Sequence, residues 1–345
     1  MPDLKNIVGN KNGHSLQRLV YRVGLMNLAS SLRGCEGAVV LMYHSAAEEA
    51  QSKWIDPRDH VPADVFTQQM EFLSRERRVV SLVELVSCLK QGQTPEKGTV
   101  VITFDDGYLD NLTVAAPILE NYGLTATLFL PTGYIDRGEN QWVDQAYAAF
   151  KARTRNKLKW ISDSPQVYDL KQPVQHKAAY RAVCSTLLVA AREKRHSLLA
   201  NLYDQLAPAR HPPRLTMNWE EVQTLVSRHR CFEIGGHSLE HTDLTRVSEA
   251  DAIKELTGCA ERIKEMLGRP PRYFSFCYSR TSKPLQRLVA EAGFEAACGR
   301  CGYDIAINSK KDLFDLPRIE APPTMDNFDL ITCAANTGVW RRLGR

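Results

Sequence analysis

No apolar run in this 345-residue chain approaches the ~18–20 residues that a helix needs to cross a bilayer. Membrane-spanning helices are therefore not expected. The opening stretch MPDLKNIVGNKNGHSLQRLV has no unbroken apolar core and no small-residue cleavage site, so it does not read as a secretory signal. Cysteine occurs nine times, an odd number at irregular spacings, without the pattern of a disulfide framework. Together these features point to reduced thiols in a cytoplasm. Cys298 and Cys301 form a single CxxC, and no second pair completes a zinc ribbon. There is neither a solenoid-type repeat nor a low-complexity tract. No histidine follows His241.

Charge of one sign is also scarce, except in one place. Residues 151–215 carry 13 Lys+Arg against 4 Asp+Glu, a local +9 in a chain whose total is +4. The rest of the chain is therefore slightly acidic. This basic segment lacks the interleaved aromatics that stack on bases, which argues against nucleic acid. It suits a phosphate-bearing substrate or an anionic membrane face, with plain solvated helix faces as the alternative.

From residue 38 onwards, short β-like runs alternate with helical patterns. The runs are 38–44, 99–106, 126–131, 231–238, 272–279, 294–299 and 315–321. Helical spacing covers 64–76, 81–92, 113–123, 219–229, 248–268 and 284–293, several of them ending in Gly. Such alternation predicts a parallel sheet covered by helices. Seven units suggest a deformed seven-stranded (β/α) barrel in the α/β class, with an open doubly wound sheet as the competitor. Residues 140–215 break the alternation and read as a basic helical insertion. The expected organisation is an N-terminal segment 1–36 with an amphipathic helix over 15–33, a barrel over 37–330 and a tail over 331–345. The amphipathic helix either packs on the domain or rests on an anionic membrane surface.

Ionisable residues collect at the C-terminal ends of the strand-like runs, where α/β barrels build their sites. They are His44, the adjacent pair Asp105 and Asp106, and His237 with His241. HSLEH places two imidazoles at i and i+4, on one face if the segment is helical. Gly235 and Gly236 before it would let the strand turn. Two imidazoles and a carboxylate leave open positions on a metal for water or substrate. Gly107 lets the chain bend just after the Asp pair, so both carboxylates could serve one site. The alternative is a turn Asp followed by a helix-capping Asp. A phosphatase of the DxD type would want a spacer between the carboxylates.

TFDDGY, GGHSLEHTDL, RYFSFCYSR and LPRI together resemble the polysaccharide deacetylase family, carbohydrate esterase family 4 with the nodulation-type homology domain. The resemblance runs over roughly residues 38–330. It implies the seven-stranded barrel, a divalent metal (zinc in most members) and hydrolysis of an N-acetyl group on a saccharide. By the same resemblance Asp105 is the general base, Asp106, His237 and His241 are metal ligands, and Arg318 holds the base. Tyr278 supplies a backbone N–H to the oxyanion. Cys277 and Ser279 stand where the family usually has Pro and Gly, which leaves the oxyanion loop's shape open. Many members carry a later histidine as general acid, absent here. The run VLMYHS instead resembles the N-terminal motif of circularly permuted members, which makes His44 the acid. Tyr108 and Trp142 are candidate stacking faces for a sugar ring, with packing in the core an equal alternative for Trp142. The expected substrate is a free, lipid-linked or nucleotide-linked N-acetylated saccharide in glycan biosynthesis. The expected place is the cytoplasm, with peripheral membrane contact open. Competing readings are the same chemistry on another amide or an O-acetyl ester, and an inactive saccharide-binding protein.

Overall fold

The computed structural model describes residues 37–160, 166–302, 307, 313–326 and 328–332. The segment 1–36, with the helix expected over 15–33, and residues 333–345 lie outside the described residues. In chain order the elements begin with β1 (Ala38–Tyr43), α1 (Glu49–Ser52), α2 (Ala63–Glu76), β2 (Arg78–Val79) and α3 (Leu82–Lys90). Next come β3 (Thr99–Asp105), a π-turn (Asn111–Ala115) running into α4 (Ala116–Asn121), β4 (Ala126–Leu130), α5 (Thr132–Arg137) and α6 (Trp142–Lys151). Then follow β5 (Lys157–Trp160), β6 (Gln166–Asp169), α7 (Pro173–Val189), α8 (Arg192–Leu206) and α9 (Trp219–Arg228). The chain continues through β7 (Phe232–Gly236), α10 (Glu249–Leu267), β8 (Tyr273–Ser275), α11 (Lys283–Glu291), β9 (Ala296–Cys301), β10 (Leu316–Glu320) and α12 (Phe328–Thr332).

Seven parallel strands close a ring in the order β1, β3, β4, β7, β8, β9, β10, with β10 back on β1. This is the seven-stranded barrel the alternation predicts, and its strands match the seven apolar runs. The first and third strands seal most firmly, from Ala38↔Thr99 to Tyr43↔Phe104. The ring is thinnest between β7 and β8, whose register pairs only Gly236 with Phe274. Strand residues sort by parity, as period-2 geometry requires. Val39, Leu41, Tyr43, Val100, Ile102 and Phe104 join the apolar layer under α2, α4, α9 and α10. Ala38, Val40 and Val101 join a second cluster with Leu82, Leu85, Val86 and Leu89 of α3. Sequence-local caps start the helices where the patterns begin. Ser81 and Glu84 form a reciprocal capping box at α3, as Asn218 and Glu221 do at α9.

The insertion is less purely helical than its sequence suggests. Helix α6 leads into an antiparallel hairpin in which Lys157 pairs with Asp169 and Trp160 with Gln166. Its KLKW strand alternates exposed lysines with buried Leu158 and Trp160. The long helical pattern after it is broken between α7 and α8. There the buried Arg195 donates to the carbonyls of Leu187 (3.0 Å) and Ala190 (3.2 Å), satisfying the end of α7. Leu158, Trp160, Tyr168, Val183, Leu187, Leu199 and Leu202 give this region an apolar cluster of its own. No helix among the described residues is long and apolar enough to cross a membrane.

Candidate active site

Asp105 is the last residue of β3, and by alternation its side chain shares the face of Val101 and Thr103. There it meets Arg318 of β10. The guanidinium donates Nη1 to Oδ1 at 2.8 Å and Nη2 to Oδ2 at 2.6 Å, a two-pronged buried pair. Ser275 braces the same pair, accepting from Arg318 Nη2 at 2.7 Å and donating to Asp105 Oδ2 at 3.3 Å. Burial alone would raise the Asp105 pKa, but the charge and hydrogen bonds of Arg318 hold it well below the usual carboxylate range.

Asp106 begins the turn itself, in the left-handed region at φ 72°. Gly107 continues it at φ 67°, and a Cβ there would lie 2.7 Å from Leu130 Cδ2 and 2.9 Å from Ile135 Cδ1. The bend thus needs glycine for space as well as for conformation. Gly107→Ala should cost about 1–3 kcal/mol in urea unfolding, through strain at φ > 0 and the crowded side chains. An unchanged midpoint would contradict this.

His237 and His241 lie on a turn, not on the helix that i, i+4 spacing allows. Ser238 and His241 are both left-handed, at φ 62° and 50°. Glu255 of α10 shapes the turn, accepting from the Leu239 and Glu240 N–H groups at 2.9 Å each and from Thr242 Oγ1 at 2.9 Å. Nor do Gly235 and Gly236 turn the strand. They lie within β7, and a Cβ on Gly235 would sit 2.5 Å from the Phe129 ring, so these glycines make room. His237 Nδ1 donates to the Ser275 carbonyl at 2.7 Å, which leaves Nε2 with its lone pair. That Nε2 is 3.7 Å from Asp106 Oδ1, and His241 Nε2 is 3.3 Å from the same oxygen.

Asp106 Oδ1 is buried and accepts no hydrogen bond, though two imidazole nitrogens face it. Burial pushes the Asp106 pKa up to about 7, with His44 opposing and Asp105 reinforcing. Burial also holds both histidines low, and hence neutral. An orphaned carboxylate oxygen converging with two neutral imidazoles is a donor set suited to a divalent cation. Cys277 is near, but its Sγ sits 3.9 Å from His237 Nδ1 and 3.3 Å from the His237 carbonyl, behind the ring that offers Nε2 to Asp106. The three residues His237, His241 and Cys277 are close enough to hold an ion. The Nδ1–Ser275 bond favours Asp106 over the thiol as third ligand.

A pH dependence follows. A carboxyl whose folded pKa exceeds its unfolded value stabilises the fold while protonated, and loses that contribution as pH rises through about 7. The two histidines, which burial holds low, act in the opposite sense as pH falls below the ordinary imidazole range, so the metal-free trend is the balance of the three groups. Added divalent ion should raise Tm most at pH 8, where no proton competes. Equal metal-induced shifts at both values would count against the site.

His44 follows β1 and is half-buried. Burial alone would lower its pKa, but Asp59, Asp106, Asp105 and Glu320 outweigh that and raise it, favouring imidazolium. Its backbone is held by Asn111, whose Nδ2 donates to the His44 carbonyl at 2.9 Å. Buried Asp110 accepts from Ser45 Oγ at 2.8 Å and the Ala46 N–H at 2.7 Å. Sequence reading missed these two supports, which follow directly on DDGYL. A polar pair at the buried start of a helix was the available signal.

Tyr278 lies in the short turn Cys277–Ser279, with Tyr278 and Ser279 left-handed at φ 58° and 52°. The two expected sugar-stacking rings face inward instead. Tyr108 is 1% exposed and donates its hydroxyl to Asp144 Oδ2 at 2.7 Å. Trp142 is 6% exposed and donates Nε1–H to the Tyr278 hydroxyl at 2.9 Å.

The family model described as polysaccharide deacetylase matches residues 92–183 and 193–297, more than half of the chain. This chain belongs to the polysaccharide deacetylase family. Its barrel resembles that of the Streptococcus pyogenes deacetylase PplD, solved in complex with acetate. The TM-score is 0.57 at 16% identity, covering 86% of this chain and 98% of that one. It also resembles IcaB from Ammonifex degensii, with a TM-score of 0.55 at 17% identity over 88% of this chain and 98% of the other. At these identities the likeness is one of fold. The relative YxkH of Bacillus subtilis (strain 168) is 35% identical over 92 residues. That match spans 26% of this chain and 30% of YxkH, so the chain matches under a third of that relative's length.

Proposed function

We propose that this member of the family is a metal-dependent hydrolase that removes the N-acetyl group from an N-acetylated saccharide. The observation that carries the reading is the division of labour in the Asp pair. Asp105 is locked to Arg318, while the buried Asp106 Oδ1 accepts no hydrogen bond among the described residues and faces the two imidazoles. A divalent ion on Asp106, His237 and His241, zinc in our reading, supplies Lewis-acid polarisation of the acetamide carbonyl and activation of water.

The chain's own residues do the rest. Arg318 keeps Asp105 ionised and aimed, so Asp105 accepts a proton from the attacking water. Donation from the Tyr278 backbone N–H to the developing oxyanion is assigned to the turn Cys277–Ser279. His44, charged among carboxylates, gives a proton to the departing amine. Acetate and a free amino sugar leave, and the atoms of one water are accounted for. The exposed lysines of the insertion, Lys157 and Lys159 on the hairpin among them, support a phosphate-bearing (lipid- or nucleotide-linked) substrate met in the cytoplasm or at its membrane face during glycan biosynthesis.

His44→Ala tests the reading. Turnover on N-acetylglucosamine oligosaccharides, followed as acetate release, should fall on the order of 10²–10⁴-fold while metal content stays unchanged. Full turnover in the variant would remove His44 from the acid's role. Release from an O-acetyl ester but not from the amide would move the activity to the esterase reading.

A further inference from the structure

The two imidazoles facing Asp106 are pinned by different means. His237 Nδ1 bonds a backbone carbonyl, which can only accept, so its tautomer is set by the barrel itself. His241 Nδ1 instead meets the Tyr278 hydroxyl at 3.1 Å. A hydroxyl has one proton and two lone pairs, so it could either accept from Nδ1–H or donate to Nδ1. The two choices have opposite consequences. If it accepts, Nε2 carries the lone pair and can bind a cation. If it donates, Nε2 carries the proton and cannot.

Two neighbours bias the choice. Trp142 Nε1–H, which only donates, occupies one lone pair of the Tyr278 oxygen at 2.9 Å. The His241 backbone carbonyl, which only accepts, lies 3.4 Å from the same oxygen and offers a place for its proton. The remaining lone pair then faces His241 Nδ1–H. Trp142 opens α6 at the start of the insertion and is buried in the insertion's apolar cluster. The Arg195 guanidinium lies over its ring, 5.7 Å from the centroid, and Arg195 is itself held at the break between α7 and α8. A continuous contact path thus runs from the insertion to one imidazole of the site.

We propose that Trp142 and the Tyr278 hydroxyl are positioning residues that fix His241 in the Nδ1–H tautomer, so that the insertion completes the metal site. The inference rests on Asp106, His237 and His241 being the ligands. It assigns work to the Tyr278 side chain, apart from its backbone N–H, and explains why Trp142 is turned away from solvent.

The test uses the full chain with Tyr278→Phe and Trp142→Phe. Nitrogen-15 NMR of the metal-free protein reads the His241 tautomer, and chelator competition with Zn²⁺ reads affinity. In the parent protein His241 should carry its proton on Nδ1. Tyr278→Phe should move that proton to Nε2, where Asp106 Oδ1 is 3.3 Å away, and weaken Zn²⁺ binding about 10–100-fold. Trp142→Phe should shift both readouts the same way, by less. Should burial of Trp142 prevent that variant from folding, Tyr278→Phe carries the test alone. Retention of the Nδ1–H tautomer in Tyr278→Phe, with affinity within about twofold of the parent, would overturn the proposal. Asp106→Asn separates the two levels. If it loses Zn²⁺ and Tyr278→Phe does not, only the tautomer inference fails. If it binds Zn²⁺ as the parent does, the ligand assignment beneath it fails.

Discussion

Asp106→Asn should abolish divalent-ion binding and lower turnover by about 10³-fold or more, since several kcal/mol of Lewis-acid stabilisation disappear at 1.36 kcal/mol per decade. Asparagine is the informative replacement. It tolerates the left-handed conformation at φ 72°, so the backbone bend survives while the charge is lost. The same variant should be at least as stable as the metal-free parent at pH 8. It removes a buried carboxyl that burial raises to about 7, and whose ionisation therefore opposes folding. Lost binding with retained or improved metal-free stability is a signature that simple unfolding cannot mimic. Calorimetry with and without ion measures both halves. A variant that still binds the ion, or that is much less stable without it, would contradict this role for Asp106.

The second large effect is expected from Arg318→Met. Methionine fills much of the space but leaves Asp105 buried without its counter-charge. Removing one member of a buried pair typically costs about 3–5 kcal/mol, because the other is left uncompensated. Urea unfolding should show a loss of that order, and turnover should drop about 10²–10⁴-fold as the proton acceptor loses its orientation. The pH response should also invert. In the parent, the depressed Asp105 pKa contributes stability above the ordinary Asp range, lost only as pH falls below it. In the variant, burial is opposed only by the more distant His44 charge and raises that pKa, so stability should fall as pH rises from acid towards neutral. A variant with parental stability and an unchanged pH profile would show that the pair is not structural.

The barrel was legible because its strands are buried on both faces and so read as apolar runs between helical patterns. Candidate site residues were legible as chemically unusual neighbours at strand ends, a doubled Asp and an HxxxH, whereas Arg318 entered only through the family resemblance. What holds them in place was not legible. Asp106, Ser238, His241, Tyr278 and Ser279 adopt positive φ without being glycine, and side-chain identity does not announce that. Conversely, Gly235 and Gly236 suggested a turn and proved to be space-makers under Phe129 and Phe294. Glu255 braces the histidine turn from the middle of α10, with no local pattern to mark it. Tyr108 and Trp142 looked like open stacking faces, but hydrogen bonds to Asp144 and Tyr278 turn them inward. The antiparallel pair β5 and β6 was not legible because it sits inside a region whose composition favours helix.

The central claim is that one divalent ion on Asp106, His237 and His241 enables amide hydrolysis with Asp105 as base. It is tested most directly by titrating the metal-stripped full chain with Zn²⁺ while measuring acetate released from an N-acetylglucosamine oligosaccharide. Acetate release should rise in proportion to bound ion, level off at about one per chain, and vanish on chelation. Release from the stripped protein, or a fully loaded protein that frees no acetate from any N-acetylated saccharide, would contradict it.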